Sequence, residues 1–160
     1  MFYIWKQITH FFVSNSRHGT HSPFVYALAD QVIYVPSATC RQRTILPEGF
    51  SAGYRDLLAD ILSHWSIPNL TEYPELVNTS AVWVTQEPFT VGELVELVGE
   101  GKIVIVHEPY RTQHSLKKWQ ALCHDPTIVI SIDLFHFGVV LQRTGQRKEH
   151  FFLRYPYWRH

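Results

Sequence analysis

The chain has 160 residues, 46% of them hydrophobic and 18% charged, which suits one folded domain with a real core and excludes a disordered polymer. Lys+Arg and Asp+Glu number 14 each, so no basic excess points to nucleic acid and no acidic block to a solvating tail. Cys40 and Cys123 make neither a disulfide framework nor a zinc-ligand spacing, and two reduced thiols are expected.

Phe2, Trp5, Ile8 and Phe12 recur at helical spacing and predict an amphipathic helix over 2–13. Its stripe is expected to bury on its own domain, since only Lys6 and His10 stand ready to meet lipid phosphates. The segment lacks a basic n-region and a cleavage site, and no stretch is long enough to span a bilayer. No membrane partner and a cytoplasmic location are therefore expected, by elimination. Gly19 breaks the chain. Ser22 then caps a second helix with Pro23 at its first position, where a missing N–H costs nothing. Phe24, Val25, Leu28 and Val32 form its apolar face, and Pro36 stops it. Residues 37–50, with Pro47 and Gly49, read as loop. Ser51 is expected to cap a third helix, with Tyr54, Leu57, Leu58, Ile61, Leu62 and Trp65 at core-facing spacing.

Residues 66–80 hold Pro68 and Pro74 and show no period. A short strand is predicted over 81–85. Thr90 and Glu93 make a capping box for the helix that carries Leu94, Val95, Leu97 and Val98 and ends at Gly99 and Gly101. The apolar run 103–106 reads as a strand buried on both faces, which completes a strand–helix–strand unit with a right-handed crossover. Thr112 or Ser115 starts a helix with Leu116, Trp119 and Leu122. Runs 127–134 and 138–142 are too close for a crossover and predict an antiparallel hairpin. Residues 150–155 read as a final edge strand, and Arg143, Arg147 and Lys148 as a solvated hairpin end. The whole predicts one α/β domain over 1–160. It has a helical part (1–65), a shortened region (66–80) and a reduced doubly wound sheet with a C-terminal antiparallel hairpin (81–160).

Three segments carry a resemblance. They are Arg17-His18-Gly19-Thr20-His21-Ser22-Pro23-Phe24-Val25, Ile132-Asp133-Leu134-Phe135-His136-Phe137-Gly138-Val139-Val140 and Lys148-Glu149-His150-Phe151. In that order they resemble one bacterial group of class I S-adenosylmethionine-dependent methyltransferases, over roughly 1–65 and 81–155. The resemblance implies a Rossmann-like sheet. It also implies a Gly-rich turn and a ribose-binding acid after the third helix, for the same reasons as in dinucleotide folds. Residues 66–80 contain no glycine and are too short for those units. A second alignment places residues 81–88 on the acid-bearing strand, with Glu87 as the ribose acid, and still lacks the glycines.

In metal-dependent relatives the strand ends matching Thr85-Gln86-Glu87 and His107-Glu108 carry ligands for a divalent cation. Glu87, His107, Glu108 and His114 are the candidates here, since imidazole and carboxylate suit a transition ion. The alternative is that they are solvated polar residues at strand ends, and no tightly held metal is expected. His21 is expected to order a helix start, and Asp133 to accept backbone hydrogen bonds in a turn.

The resulting expectation is a methyltransferase-like domain that no longer binds S-adenosylmethionine and acts through binding or assembly. Two alternatives stay open: an active methyltransferase with a pocket rebuilt from 66–80 or shared across a dimer, and a small metal-dependent enzyme. Loss of strands would leave 81–84 at a sheet edge. That edge is expected to be covered either by 66–80 or by a homodimer using Trp83, Phe2, Trp5, Tyr155, Tyr157 or Trp158.

Overall fold

The computed structural model describes residues 1–15, 22–36, 44–76, 78–85 and 89–159. The expectations for Gly19, His21, Cys40 and Glu87 lie outside the described residues. The chain folds as an α/β protein around a six-stranded sheet. Its strands are β1 (Leu70–Glu72), β2 (Ala81–Val84), β3 (Ile103–His107), β4 (Ile130–Asp133), β5 (Phe137–Leu141) and β6 (Glu149–Phe152), and their order is β1-β2-β3-β5-β4-β6. β1, β2 and β3 pair in parallel. β5 is antiparallel to both β3 and β4, and β6 lies parallel to β4. β5 is thus the one reversed strand of the sheet.

Alternation along each strand sends side chains into two cores. Ala81, Trp83, Ile105, Ile130, Ile132 and Val139 meet Val25, Leu28, Leu58 and Leu62 on one face. Val82, Val84, Val104, Val106 and Val140 meet Leu94, Leu97, Trp119 and Leu122 on the other. The first face is covered by α2 (Pro23–Leu28, continued by a π-helical turn Ala29–Ile33) and α3 (Arg55–His64). The second is covered by α4 (Val91–Gly99) and α5 (Gln113–His124). Each fully buried aliphatic side chain contributes about 1.5–3 kcal/mol, so both faces are needed. Among the described residues, no helix is long and apolar enough to cross a membrane.

Local signals set most helix starts. Ser22 accepts from the Val25 N–H with Pro23 at the first position of α2. Thr90 and Glu93 close the expected capping box on α4, and Thr112, not Ser115, caps α5. Ser51 does not cap α3. That helix begins at Arg55 with Tyr54 as its cap residue and no side-chain cap bond, and the Tyr54 ring is stacked on Phe137 at 4.5 Å. The basic residues of the β5–β6 connection do not form one patch. Arg143 lies over the Phe24 ring, and the Lys148 ammonium donates to the carbonyl of Cys123 in the last turn of α5 and to those of Asp125 and Ile128 beyond it.

One alternative is met and two expectations are corrected. Residues 66–80 cover the edge of β2, as the first alternative had it: β1 pairs with β2 from Leu70↔Ala81 to Glu72↔Trp83. β2 is therefore not an edge, and Trp83 is 7% exposed inside the first core, so a dimer centred on Trp83 has no surface to use. The second correction concerns α1 (Phe2–Val13). The helix forms, but most of its apolar stripe faces outward: Phe2 packs against the second core, whereas Trp5, Ile8 and Phe12 are exposed and the buried residue is His10. The helix is fixed from beneath by polar groups. Tyr3 OH donates to Glu108 Oε2 at 2.7 Å, and His10 Nε2 lies 2.9 Å from Asp133 Oδ1. Those long-range polar bonds decide which side of the helix faces in.

One glycine is required by packing. A Cβ on Gly138 would lie 2.3 Å from the Trp119 ring, which crosses β5 at that point. Gly138→Ala is expected to cost about 1–3 kcal/mol by overpacking, read as a lower urea midpoint. An unchanged midpoint would mean that the ring does not rest on the strand.

Candidate functional site

A cavity of about 360 Å³ lies between the carboxyl ends of β2 and β3 and helices α4 and α5. Such a crevice outside parallel strand ends is where open α/β sheets bind ligands. Buried Val84, Leu94, Val106, Trp119 and Leu122 line its interior. Thr85, His107, Glu108, Arg111, His114 and Lys118 line its mouth. Glu108 is the one carboxylate among these lining residues, against the permanent charges of Arg111 and Lys118.

The mouth is shaped by the turn after β3. Glu108 adopts φ 43° immediately before Pro109, a left-handed conformation costing about 1–3 kcal/mol for a residue of this type. Its N–H donates to the His136 carbonyl at 2.9 Å, and the Arg111 N–H to the Glu108 carbonyl at 3.0 Å, which closes the turn. Thr112 follows as the cap of α5, accepting from the Ser115 N–H at 3.0 Å. Arg111, Thr112 and the first N–H groups of α5 are thereby set at the cavity mouth. Lys118, one turn further on, donates to the Phe89 carbonyl at 2.8 Å and lies over the Phe89 ring.

His107 is held from behind. Trp83 Nε1 donates to Tyr54 OH at 3.0 Å, and Tyr54 OH lies 2.5 Å from His107 Nδ1. Burial pushes the His107 ring below the usual imidazole range and keeps it neutral. With Tyr54 accepting from Trp83 and donating to Nδ1, the ring proton is assigned to Nε2; the ring packs on the Tyr54–Trp83 face of the sheet, and His107 meets the cavity on the other face only at the strand end.

Glu108 is committed differently. Its Oε2 accepts from Tyr3, and its Oε1 lies 3.1 Å from His136 Nδ1. Burial alone would raise its carboxyl, but the bonds from His136 and Tyr3 outweigh that and hold it below the usual range. Burial and Glu108 together push the Tyr3 phenol up. The carboxylate thus anchors α1 to the β3 turn. Of the four candidate metal ligands, Glu87 lies outside the described residues, and His107, Glu108 and His114 are all at the cavity mouth. Among the described residues no three His, Cys, Asp or Glu side chains are grouped to hold a metal ion.

A second polar centre lies at the end of β4. Asp133 is fully buried and accepts from His10 Nε2, Tyr110 OH, Trp119 Nε1 and the Phe135 N–H, at 2.9, 2.7, 2.7 and 3.0 Å. The expected turn bond is present as the last of these. The three side-chain donors come from distant segments and leave no mark in local sequence. Burial would raise the Asp133 carboxyl; the bonds from His10, Tyr110 and Phe135 hold it below the usual range.

These shifts share a sign. Burial lowers His107 and His150, so below about pH 6.5 the unfolded chain takes up protons that the folded chain refuses. The depressed Glu108 and Asp133 add to that loss as pH falls below about 4. Denaturation midpoints are expected to fall steadily on acidification from neutral pH. A flat or rising midpoint would contradict the burial of these groups.

Comparison of the chain with protein-family models, with curated proteins and with solved structures finds no match.

Proposed function

We propose that this chain is a reduced methyltransferase-like domain that binds a small anionic ligand with an apolar or aromatic body and does not take up S-adenosylmethionine. The observation that carries the reading is the cavity at the β2–β3 ends: an apolar interior with Arg111, Lys118 and the start of α5 at its mouth. An anion there meets two cations and the positive end of α5, while its body fills the apolar interior.

Two features support the methyltransferase kinship and the loss of the cofactor. The order β2-β3-β5-β4, with β5 alone reversed, agrees with the C-terminal half that the sequence resemblance implies. On the other side of β2 the sheet ends at the three-residue β1. The N–H groups that follow β1 are engaged internally, Tyr73 with the Trp83 carbonyl and Glu75 with the Glu72 carbonyl. Glu72 Oε1 accepts from Thr85 Oγ1 at 3.1 Å. A methionine carboxylate would find no glycine cradle after β1, and among the described residues no strand beyond β1 offers an acid to a ribose. A metal-dependent enzyme has weaker support, because Glu108 is held by Tyr3 and His136.

Phenyl phosphate is a suitable probe, since it joins an anion to an aromatic body. Calorimetric titration is expected to give saturable heat that weakens about tenfold in Arg111→Ala, the loss of one charge-assisted hydrogen bond. Arg111 is exposed, so the variant keeps the fold. Absence of saturable heat with the wild-type chain, or equal affinity in the variant, would overturn the assignment.

A further inference from the structure

α1 is inverted relative to an ordinary surface helix, which buries its apolar side. Ile4, Trp5, Ile8, Phe11 and Phe12 face outward, with Trp5 65% and Phe12 77% exposed, and Trp158 of the C-terminal segment is exposed as well. Gln7 Nε2 donates to Tyr157 OH at 2.9 Å, which ties that segment to α1 and places Trp158 next to a residue bonded to the helix. The helix cannot turn its apolar side inward without breaking the Tyr3–Glu108 and His10–Asp133 bonds. A monomer that displays Trp, Phe and Ile along a whole helix displays a contact surface.

The charge around this face selects its partner. Residues 1–29 contain no Asp or Glu, and neither do residues 150–160. Lys6 lies over the Phe2 ring and Arg154 over the Phe11 ring, so cations border the stripe. The carboxylates bonded to α1, Glu108 and Asp133, lie beneath it. A second copy docked face to face would bring Lys6 and Arg154 against their own kind with no acid from α1 to meet them. An anionic surface meets them favourably. The helix is 12 residues long, about 18 Å; that suits lying in the plane of a bilayer surface and is far too short to cross one.

We propose that the outward face of α1 binds the surface of anionic phospholipid membranes, with Trp5, Ile8 and Phe12 entering the headgroup–acyl boundary and Lys6 and Arg154 meeting lipid phosphates. This corrects the expectation that the stripe is buried on its own domain, and it does not depend on the cavity at the β2–β3 ends.

Cosedimentation with phosphatidylcholine vesicles, with and without phosphatidylserine, tests it. The protein is expected to pellet with the phosphatidylserine vesicles and to be released by salt. The double variant Trp5→Ser, Phe12→Ser is expected to bind at least about tenfold more weakly, with an unchanged circular dichroism spectrum because both side chains are exposed. Lys6→Gln is expected to weaken binding about fivefold. No pelleting with either vesicle would overturn the proposal, and equal pelleting with both would overturn the anionic assignment. A dimer in light scattering that the double variant abolishes, without vesicle binding, would assign the face to a second copy instead.

Discussion

Asp133→Ala is expected to destabilise the protein by roughly 3–5 kcal/mol, because it leaves several buried donors without an acceptor. His10, Tyr110, Trp119 and the Phe135 N–H all converge on this carboxylate, which is fully shielded from solvent. The effect reaches past the hairpin. His10 is the buried residue of α1, Tyr110 follows the β3 turn, and Trp119 packs over Gly138. Removing the carboxylate thus loosens α1, the cavity mouth and α5 together. Urea denaturation gives the size of the loss, and hydrogen exchange is expected to show α1 amides losing protection first. A variant within about 1 kcal/mol of wild type would contradict the convergence of donors, since even one orphaned buried donor costs that much.

Trp83→Glu is expected to unfold the chain, at a cost above about 4 kcal/mol. The Trp83 ring contacts Phe50 at a centroid distance of 4.3 Å, and its N–H starts the chain of bonds through Tyr54 to His107. The substitution removes that packing and places a carboxylate beneath α3 with no cation provided for it. Loss of the near-ultraviolet circular dichroism signal is the expected readout. A folded variant with a wild-type midpoint would contradict the burial of Trp83 and return it to consideration as a surface residue.

The contrast between Trp83 and Trp5 shows what the sequence made legible. Elements set by neighbours in the chain were readable. The Thr90–Glu93 box, Pro23 behind Ser22, the apolar run that became β3 and the short hairpin link each contain their own explanation within a few residues. β1 was not readable, because Leu70 is its one buried residue and its hydrogen bonds are supplied by β2. The 2–13 helix was readable, but periodicity fixes only where the stripe lies on the helix, not which way it faces. That was decided by Tyr3 and His10, whose partners lie 105 and 123 residues away. The candidate site divides the same way. His107, Glu108 and His114 were marked by their place at strand and helix ends. Arg111 and Lys118 gained meaning only when α5 was set beside β2. Tyr54 and His136 gave no local signal, since each acts by a bond to a residue of another segment.

We propose that the crevice at the β2–β3 ends serves an anionic ligand and that the cofactor site implied by the resemblance is lost. Parallel calorimetric titrations of the full chain with S-adenosylmethionine and with phenyl phosphate decide both parts. The predicted result is no saturable heat with S-adenosylmethionine and saturable heat with phenyl phosphate that depends on Arg111. Saturable binding of S-adenosylmethionine at one site per chain would contradict the claim and point to a methyltransferase with a rebuilt pocket.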